Sequence, residues 1–276
     1  MKIGIVGYGM VGSAVAFGFR TLGHDVIVYD KDSKKNEQAR KECYEVANDL
    51  KDLVKKSEVI FICVPTPSME DGSCDTSIVE DVVKKILKTP VEEEKIIVIK
   101  STVIPGTFDK LFPLTNGTKF KLVSNPEFLR EAYAKKDFLY PWLGYIVIGG
   151  YDRDAVERVA DLYKGIDAKL IKTKPKVAEM VKYASNLFHS TKISFANEIG
   201  MICERLGIDA KEVMDIIKIE AYGGYYVDPT KGPYGGSCLP KDMAAMLALC
   251  RKMGFKPHLL EAVDKVNEEM KKRWKK

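Results

Sequence analysis

Short apolar runs recur through the first two thirds of the chain, at Lys2 to Val6, Asp25 to Tyr29, Val59 to Val64, Lys95 to Lys100, Lys121 to Ser124, Tyr145 to Ile148 and Lys169 to Ile171. Each is read as a strand. Between them apolar positions fall at the three- and four-residue spacing of helices, as at Met10 to Leu22, Thr76 to Leu87 and Arg153 to Tyr163. Strands alternating with helices are the signature of βαβ units, so the pattern predicts an α/β fold, a Rossmann-like doubly wound parallel sheet.

The pattern changes at Pro175. Lys176 to Leu206 reads as one long helix, entered through a proline in its first turn and stopped by Gly207. Asp209 can cap a following helix that runs to about Ile219, and two more are expected at Lys241 to Met253 and Pro257 to Arg273. The stretch from Tyr222 to Gly236 is too rich in glycine and proline for a regular element. The expected division is therefore a dinucleotide-binding domain over 1–173 and an all-helical domain over 174–276. On the long helix, Met180, Tyr183, Leu187, Ile193, Phe195 and Ile199 face more than one side, and that surface must be buried somewhere. Pairing of two copies into a homodimer is the expected outlet; cover by the two later helices is the alternative.

Composition narrows the picture. With 276 residues and 46% hydrophobic content, the chain can bury one large or two ordinary cores. The net charge of +5, from 44 basic and 39 acidic residues, is well mixed along the sequence and argues against a nucleic-acid partner. The basic run Lys271 to Lys276 suits a helix C-terminus. No apolar leader follows Met1 and no apolar stretch is long enough to span a bilayer, so a cytoplasmic location without membrane association is expected. Six cysteines without a Cys-x-x-Cys pair or a cysteine–histidine cluster predict reduced thiols and no metal site. His24, His189 and His258 are isolated and receive no role. A single glutamine, Gln38, amid abundant lysine and glutamate is a bias associated with proteins from hot environments.

Candidate chemistry begins at Gly7-Tyr8-Gly9-Met10-Val11-Gly12, which follows a strand and opens a helix. There Gly7 makes the tight turn, Gly9 lets backbone approach a pyrophosphate and Gly12 packs helix on sheet. Asp30, ending the second strand, accepts from ribose hydroxyls and repels a 2'-phosphate, which favours NAD over NADP; Lys35 weakens that preference. Val64-Pro65-Thr66-Pro67 and Lys100-Ser101-Thr102-Val103 follow the next strands, at the carboxyl ends where open sheets bind ligands. Asn125 to Glu131 brings two carboxylates to the same edge, one of which could activate water. Lys182 and Asn186, four apart, share a helix face and could stabilise an oxyanion. Cys238, in Gly235-Gly236-Ser237-Cys238-Leu239-Pro240-Lys241-Asp242, has the setting of a nucleophile, since thiolate is the reactive form and nearby cations favour it. A buried apolar cysteine is the competing reading.

Taken in order, these motifs resemble those of the UDP-glucose/GDP-mannose dehydrogenases, NAD-dependent enzymes that oxidise the C6 alcohol of a nucleotide sugar to a carboxylate. The matching pieces also include Asp71-Gly72 and Asp75, and together they run along nearly the whole chain. The resemblance implies Cys238 as nucleophile, Lys182 and Asn186 on the sugar oxygen and the oxyanion, Asp242 with Thr102 positioning water, and Glu127 as base for thioester hydrolysis. It implies cofactor contacts from Gly7, Gly9, Met10, Val11, Gly12, Asp30, Lys35, Val64, Pro65, Thr66, Ser101, Thr102, Glu131 and Lys241. Substrate contacts would come from Glu127, Phe128, Leu129, Arg130, Glu131, Lys182, Asn186, Tyr234 and Gly235. Family members usually continue into a third domain that grips the nucleotide half of the substrate, whereas this sequence stops at Lys276. The expectation is a two-domain portion that keeps the dinucleotide and sugar sites, with a separate chain as one source of the third domain. Pro229 stands where some members have a lysine, with Lys231 as a substitute. Two other readings share the fold: a two-electron β-hydroxyacid-type dehydrogenase, which has no use for Cys238, and a non-catalytic NAD-binding module.

Overall fold

The computed structural model describes residues 1–220 and 232–274, so most of the irregular stretch from Tyr222, with Pro229 and Lys231, lies outside the described residues. The strands are β1 (Lys2–Val6), β2 (Asp25–Tyr29), β3 (Glu45–Val46), β4 (Val59–Ile62), β5 (Lys95–Ile99), β6 (Phe120–Ser124), β7 (Tyr145–Gly149) and β8 (Lys169–Thr173). The helices that accompany them are α1 (Met10–Thr21), α2 (Ser33–Lys41), α3 (Leu50–Lys56), α4 (Ser77–Leu87), α5 (Thr107–Leu111), α6 (Ala134–Leu139) and α7 (Arg153–Asp161). They are followed by α8 (Pro175–Leu206), α9 (Ala210–Glu220), α10 (Leu239–Lys252) and α11 (His258–Trp274). Two compact units result, one of 1–66 with 75–182 and one of 67–74 with 183–276, so the first two turns of α8 count with the sheet.

In the first unit the strands form one sheet in the order β3-β2-β1-β4-β5-β6-β7-β8. Neighbours are parallel, as expected, except that β7 runs against β6 with Ser124 opposite Gly149. A parallel return needs a crossover of a dozen or more residues, usually a helix. Here the link holds a 3-10 turn at Glu131–Tyr133 and the six-residue α6, which docks on α1 so closely that a Cβ on Gly18 would lie 1.8 Å from the Phe138 ring. The chain then re-enters the sheet in the opposite sense. One face of the sheet buries Ile3, Ile5, Val28, Phe61 and Val98 against Phe19 of α1, Phe138 of α6 and Val159 of α7. The other buries Val6, Ile60, Ile62, Ile97 and Ile99 against Leu53 of α3, Val83 of α4 and Phe108 of α5. Aspartate side chains cap α2, α3 and α7.

A carboxylate from α8 caps α5 in the same unit. Glu179 is 2% exposed and accepts the amides of Gly106 at 2.6 Å and Phe108 at 2.7 Å. Burial pushes its carboxyl up to about 7. Because the folded chain then holds this proton more tightly than the unfolded chain, stability falls as pH rises from about 4.5 to about 7 and is flat on either side. Urea unfolding at pH 5 and pH 8 is expected to show the wild type losing ground to Glu179→Gln, by up to about 3 kcal/mol across that window. Equal pH dependence of the two proteins would refute it.

The second unit is built on the rest of α8. Its buried polar positions hold main chain: Ser194 donates to the Val263 carbonyl at 3.0 Å and Asn197 to the Gly232 carbonyl at 3.0 Å. Segment 67–74 belongs here because Arg251 of α10 donates to the Asp71 carbonyl at 3.0 Å and Gly72 lies against Ala244. Tyr183 and Leu187 are buried, while Met180, Phe188, Phe195, Ile202 and Leu206 stay exposed along α8. Among the described residues no helix is long and apolar enough to cross a membrane.

Candidate active site

The order of strands reverses between β1 and β4, and that is where an open sheet binds its ligand. The chain turns after β1 at Gly7, whose φ of +93° a side chain would not tolerate and whose Cβ would lie 2.8 Å from the Cys63 carbonyl oxygen. A Cβ on Gly12 would lie 1.8 Å from the Gly7 carbonyl oxygen, so the turn and α1 pack backbone on backbone. A Cβ on Gly9 would meet nothing within 4 Å, which leaves open space at the start of α1, a helix with no side-chain cap. That combination fits a pyrophosphate on the helix N-terminus. Beside it a cavity of about 530 Å³ is lined by Gly7, Asp30, Lys31, Val64, Pro65 and Ser77, among others. The Asp30 carboxylate, held by the amides of Tyr8 at 2.6 Å and Asp32 at 2.9 Å, is placed to take a ribose. The residues fit a dinucleotide.

Other expected cofactor residues are placed differently. The Thr66 hydroxyl donates to the Thr102 carbonyl at 2.7 Å and the Ser101 hydroxyl to the Val64 carbonyl at 2.7 Å, so both lock the loops after β4 and β5 together and keep only lone pairs for a ligand. Met10, Val11, Lys35 and the exposed Glu131 do not line the cavity. Lys31, Leu50 and Ser77, which do, escaped the sequence reading because no turn or motif marks them.

After β6 the chain delivers Glu127 into the protein interior. Its Oε1 lies 2.9 Å from Lys182 Nζ of α8 and its Oε2 accepts the Leu129 amide at 2.6 Å, with both charged side chains only 4% exposed. Burial alone would raise the carboxyl, but Lys182, the Leu129 amide and Lys100 outweigh it and hold it below its ordinary value. Lys182 also lies 5.7 Å from the centre of the half-buried Phe128 ring. Arg130, expected at the substrate, forms a two-pronged pair with buried Asp137, at 2.9 and 2.7 Å, between the rings of Tyr133 and Trp142. It braces the loop.

In the second unit Cys238 stands immediately before α10, half-buried, with its sulfur 3.6 Å from the Ser237 hydroxyl. Asp242, one turn on, is buried and accepts from Asn186 Nδ2 at 2.5 Å and Lys241 Nζ at 2.7 Å. Gly235 is exposed with open space above it, whereas the Tyr234 ring is buried and its hydroxyl donates to Asp264 at 3.1 Å. Asn267 clamps the Tyr234 backbone through both its amide atoms, at 2.8 and 3.2 Å, a role no local pattern announces. Cys63, Cys203 and Cys250 are buried, and burial pushes the Cys63 thiol up to about 12. No metal-ligating cluster occurs among the described residues.

Residues 35–167 match the model of the UDP-glucose/GDP-mannose dehydrogenase family NAD binding domain, and residues 176–269 match the family's central domain. A putative UDP-glucose 6-dehydrogenase of Bacillus subtilis is 36% identical over 97% of this chain and 68% of its own length. The chain belongs to the UDP-glucose/GDP-mannose dehydrogenase family. Its cofactor is NAD. Among family members, GDP-mannose 6-dehydrogenase of Pseudomonas aeruginosa is 36% identical over 89% of this chain and 63% of its own length. The chain thus spans about two thirds of the length of the curated relatives it matches. The UDP-glucose dehydrogenase of the hyperthermophilic archaeon Pyrobaculum islandicum superposes with a TM-score of 0.88 at 34% identity, over 97% of this chain and 68% of that one. A 3-hydroxyisobutyrate dehydrogenase of Mycobacterium tuberculosis, at 16% identity and a TM-score of 0.76 over 97% of this chain and 92% of that one, shares the fold alone.

Proposed function

We propose that this chain oxidises the C6 alcohol of a nucleotide sugar, UDP-glucose or a similar one, to the uronate through a covalent adduct on Cys238. The observation that carries this reading is the setting of Cys238: half-buried at the head of α10, beside the exposed Gly235 and Gly236 and one turn from the buried Asp242 that Asn186 and Lys241 hold. NAD, held by the glycine turn and Asp30, supplies the hydride acceptor for each of two oxidations. Lys182 and Asn186 hold the sugar oxygen as its proton leaves. The Cys238 thiolate adds to the aldehyde carbon, and the thiohemiacetal keeps the substrate in place until the second oxidation makes a thioester. Asp242 and Thr102 position a water and Glu127 takes its proton. The new C–O bond then forms, the C–S bond breaks with its electron pair returning to sulfur, and the uronate leaves. A base that must accept a proton near neutrality has to be ionised there, as the Lys182 partner ensures for Glu127. The remaining expected contacts, Met10, Val11, Lys35, Val64, Pro65, Thr66, Ser101, Glu131 and Lys241 for cofactor and Phe128, Leu129, Arg130, Glu131, Tyr234 and Gly235 for substrate, belong to the same proposal, as do the functional division at Thr173 and a cytoplasmic location.

Counting NADH formed per sugar consumed tests it. A ratio of two supports the thioester route; a ratio of one indicates the β-hydroxyacid-type reaction, and NAD binding without turnover indicates a non-catalytic module. We further propose a homodimer paired along α8, supported by the exposed row of Phe188, Phe195 and Ile202 at seven-residue spacing. Light scattering at micromolar concentration should give twice the chain mass, and a monomer there would discard the dimer. A third domain from a separate chain stays part of the proposal.

A further inference from the structure

Behind Glu127 lies a second buried lysine to which the proposed reaction gives no part. Lys100 directly follows β5, is 4% exposed, and donates to Asn125 Oδ1 at 3.0 Å, to the Pro126 carbonyl at 3.4 Å and to the Tyr163 hydroxyl at 3.4 Å. The Tyr163 hydroxyl donates to the same Asn125 oxygen at 2.5 Å. Asn125 Nδ2 donates to the Val147 carbonyl at 2.7 Å, and the Asn125 amide to Ile99 at 2.9 Å. The two residues that precede Glu127 are thus fixed from β5, from β7 and from the turn after α7, with no freedom left to the asparagine.

Charge makes the arrangement more than a brace. Glu127 from the loop after β6, Cys63 from the end of β4 and Lys182 from α8 act on Lys100 electrostatically, with Tyr163 against it; Asp137, which lines the same small cavity, is taken up by Arg130. One buried carboxylate therefore faces two buried ammonium groups. Burial pushes Lys100 down to about 8, so the surplus cation is kept against a desolvation cost that a methionine of similar length would avoid. Filling space does not require it. During the reaction Lys182 has to turn part of its charge to the sugar oxygen, and that weakens its hold on Glu127 when the base is needed.

We propose that Lys100 is a positioning residue for Glu127, fixing the Asn125–Pro126 segment and keeping the carboxylate ionised while Lys182 is engaged with substrate. This rests on the reading of Glu127 as base for thioester hydrolysis, in which water adds to the acyl carbon, its proton goes to Glu127 and sulfur departs with the C–S electron pair. Loss of the Lys100 charge then slows hydrolysis and spares the two oxidations that precede it.

The test compares wild type with Lys100→Met, using NAD and whichever of UDP-glucose and GDP-mannose the wild type turns over. Rapid mixing should give an undiminished NADH burst of about two per active site. Steady-state turnover should fall about tenfold or more, acyl-Cys238 should accumulate by mass spectrometry, and the acid limb of kcat should move up by about one pH unit. Should Lys100→Met fail to fold, Lys100→Gln keeps a donor to Asn125 without the charge and carries the same expectations. A variant with the wild-type acid limb and turnover, or one whose burst falls in step with turnover, overturns the proposal. A wild type that forms one NADH per sugar consumed overturns the reading beneath it as well, and that ratio tells the two failures apart.

Discussion

Replacing Cys238 by serine is expected to abolish completion of the second oxidation, with uronate formation falling by about three orders of magnitude or more. A serine hydroxyl is not ionised near neutrality, so the adduct with the aldehyde forms poorly and any ester it yields hydrolyses without a thiolate leaving group. NADH per sugar should fall from two towards one, with aldehyde released. In the native protein, iodoacetamide should label Cys238 well before Cys63, whose thiol is buried and pushed up to about 12, and before the buried Cys203 and Cys250. The exposed Cys43 and half-buried Cys74 are the competitors to resolve by peptide mapping. If Cys238→Ser still produced two NADH per sugar, the covalent route would have to be abandoned.

What could be read from the sequence is what short-range physics decides. Strands such as Asp25–Tyr29 coincide with their apolar runs, because a strand between two helical layers has nowhere to expose a polar face. Gly7 and Gly12 were legible because their constraint is steric and local. β3 escaped because two residues make no run, and the reversed sense of β7 escaped because strand direction depends on the link that precedes it. The site divides in the same way. Cys238 and Glu127 stand in recognisable motifs, but the partnership of Glu127 with Lys182, fifty-five positions apart, is a product of folding. Arg130 stands in such a motif too, but its pairing with Asp137, seven residues away, is likewise a product of folding. Lys100 and Asn125 lay inside the motifs without a stated task, since a buried hub is defined by neighbours such as Tyr163 and Val147 that no spacing connects to them.

Removal of the Lys182 charge should be the most damaging change to the first unit. In Lys182→Met, Glu127 keeps the Leu129 amide and the influence of Lys100 but loses the cation at 2.9 Å, in a place from which water is excluded. Breaking a buried pair in this way costs about 3–5 kcal/mol at neutral pH, because the buried carboxylate keeps only the Leu129 amide and the influence of Lys100. The sign of the pH dependence should also reverse. In the wild type the Glu127 carboxyl is held low, so its contribution is present above the unfolded value of 4.5 and is lost as pH falls through the lower folded value. In the variant burial wins and the carboxyl rises, so the folded chain retains the proton and stability declines as pH climbs from 4.5. Urea unfolding at pH 5 and pH 7 should therefore show Lys182→Met nearer to wild type at the lower pH. Adding Glu127→Gln removes the weakened carboxylate but leaves the buried Lys100 without one, so it should recover part of the stability. It should recover no turnover, because in the proposed reaction the Lys182 ammonium holds the sugar oxygen, a contribution of about a hundredfold or more. A Lys182→Met protein whose deficit against wild type is the same at pH 7 as at pH 5, or one whose stability Glu127→Gln fails to raise, would show that the two charges are not coupled.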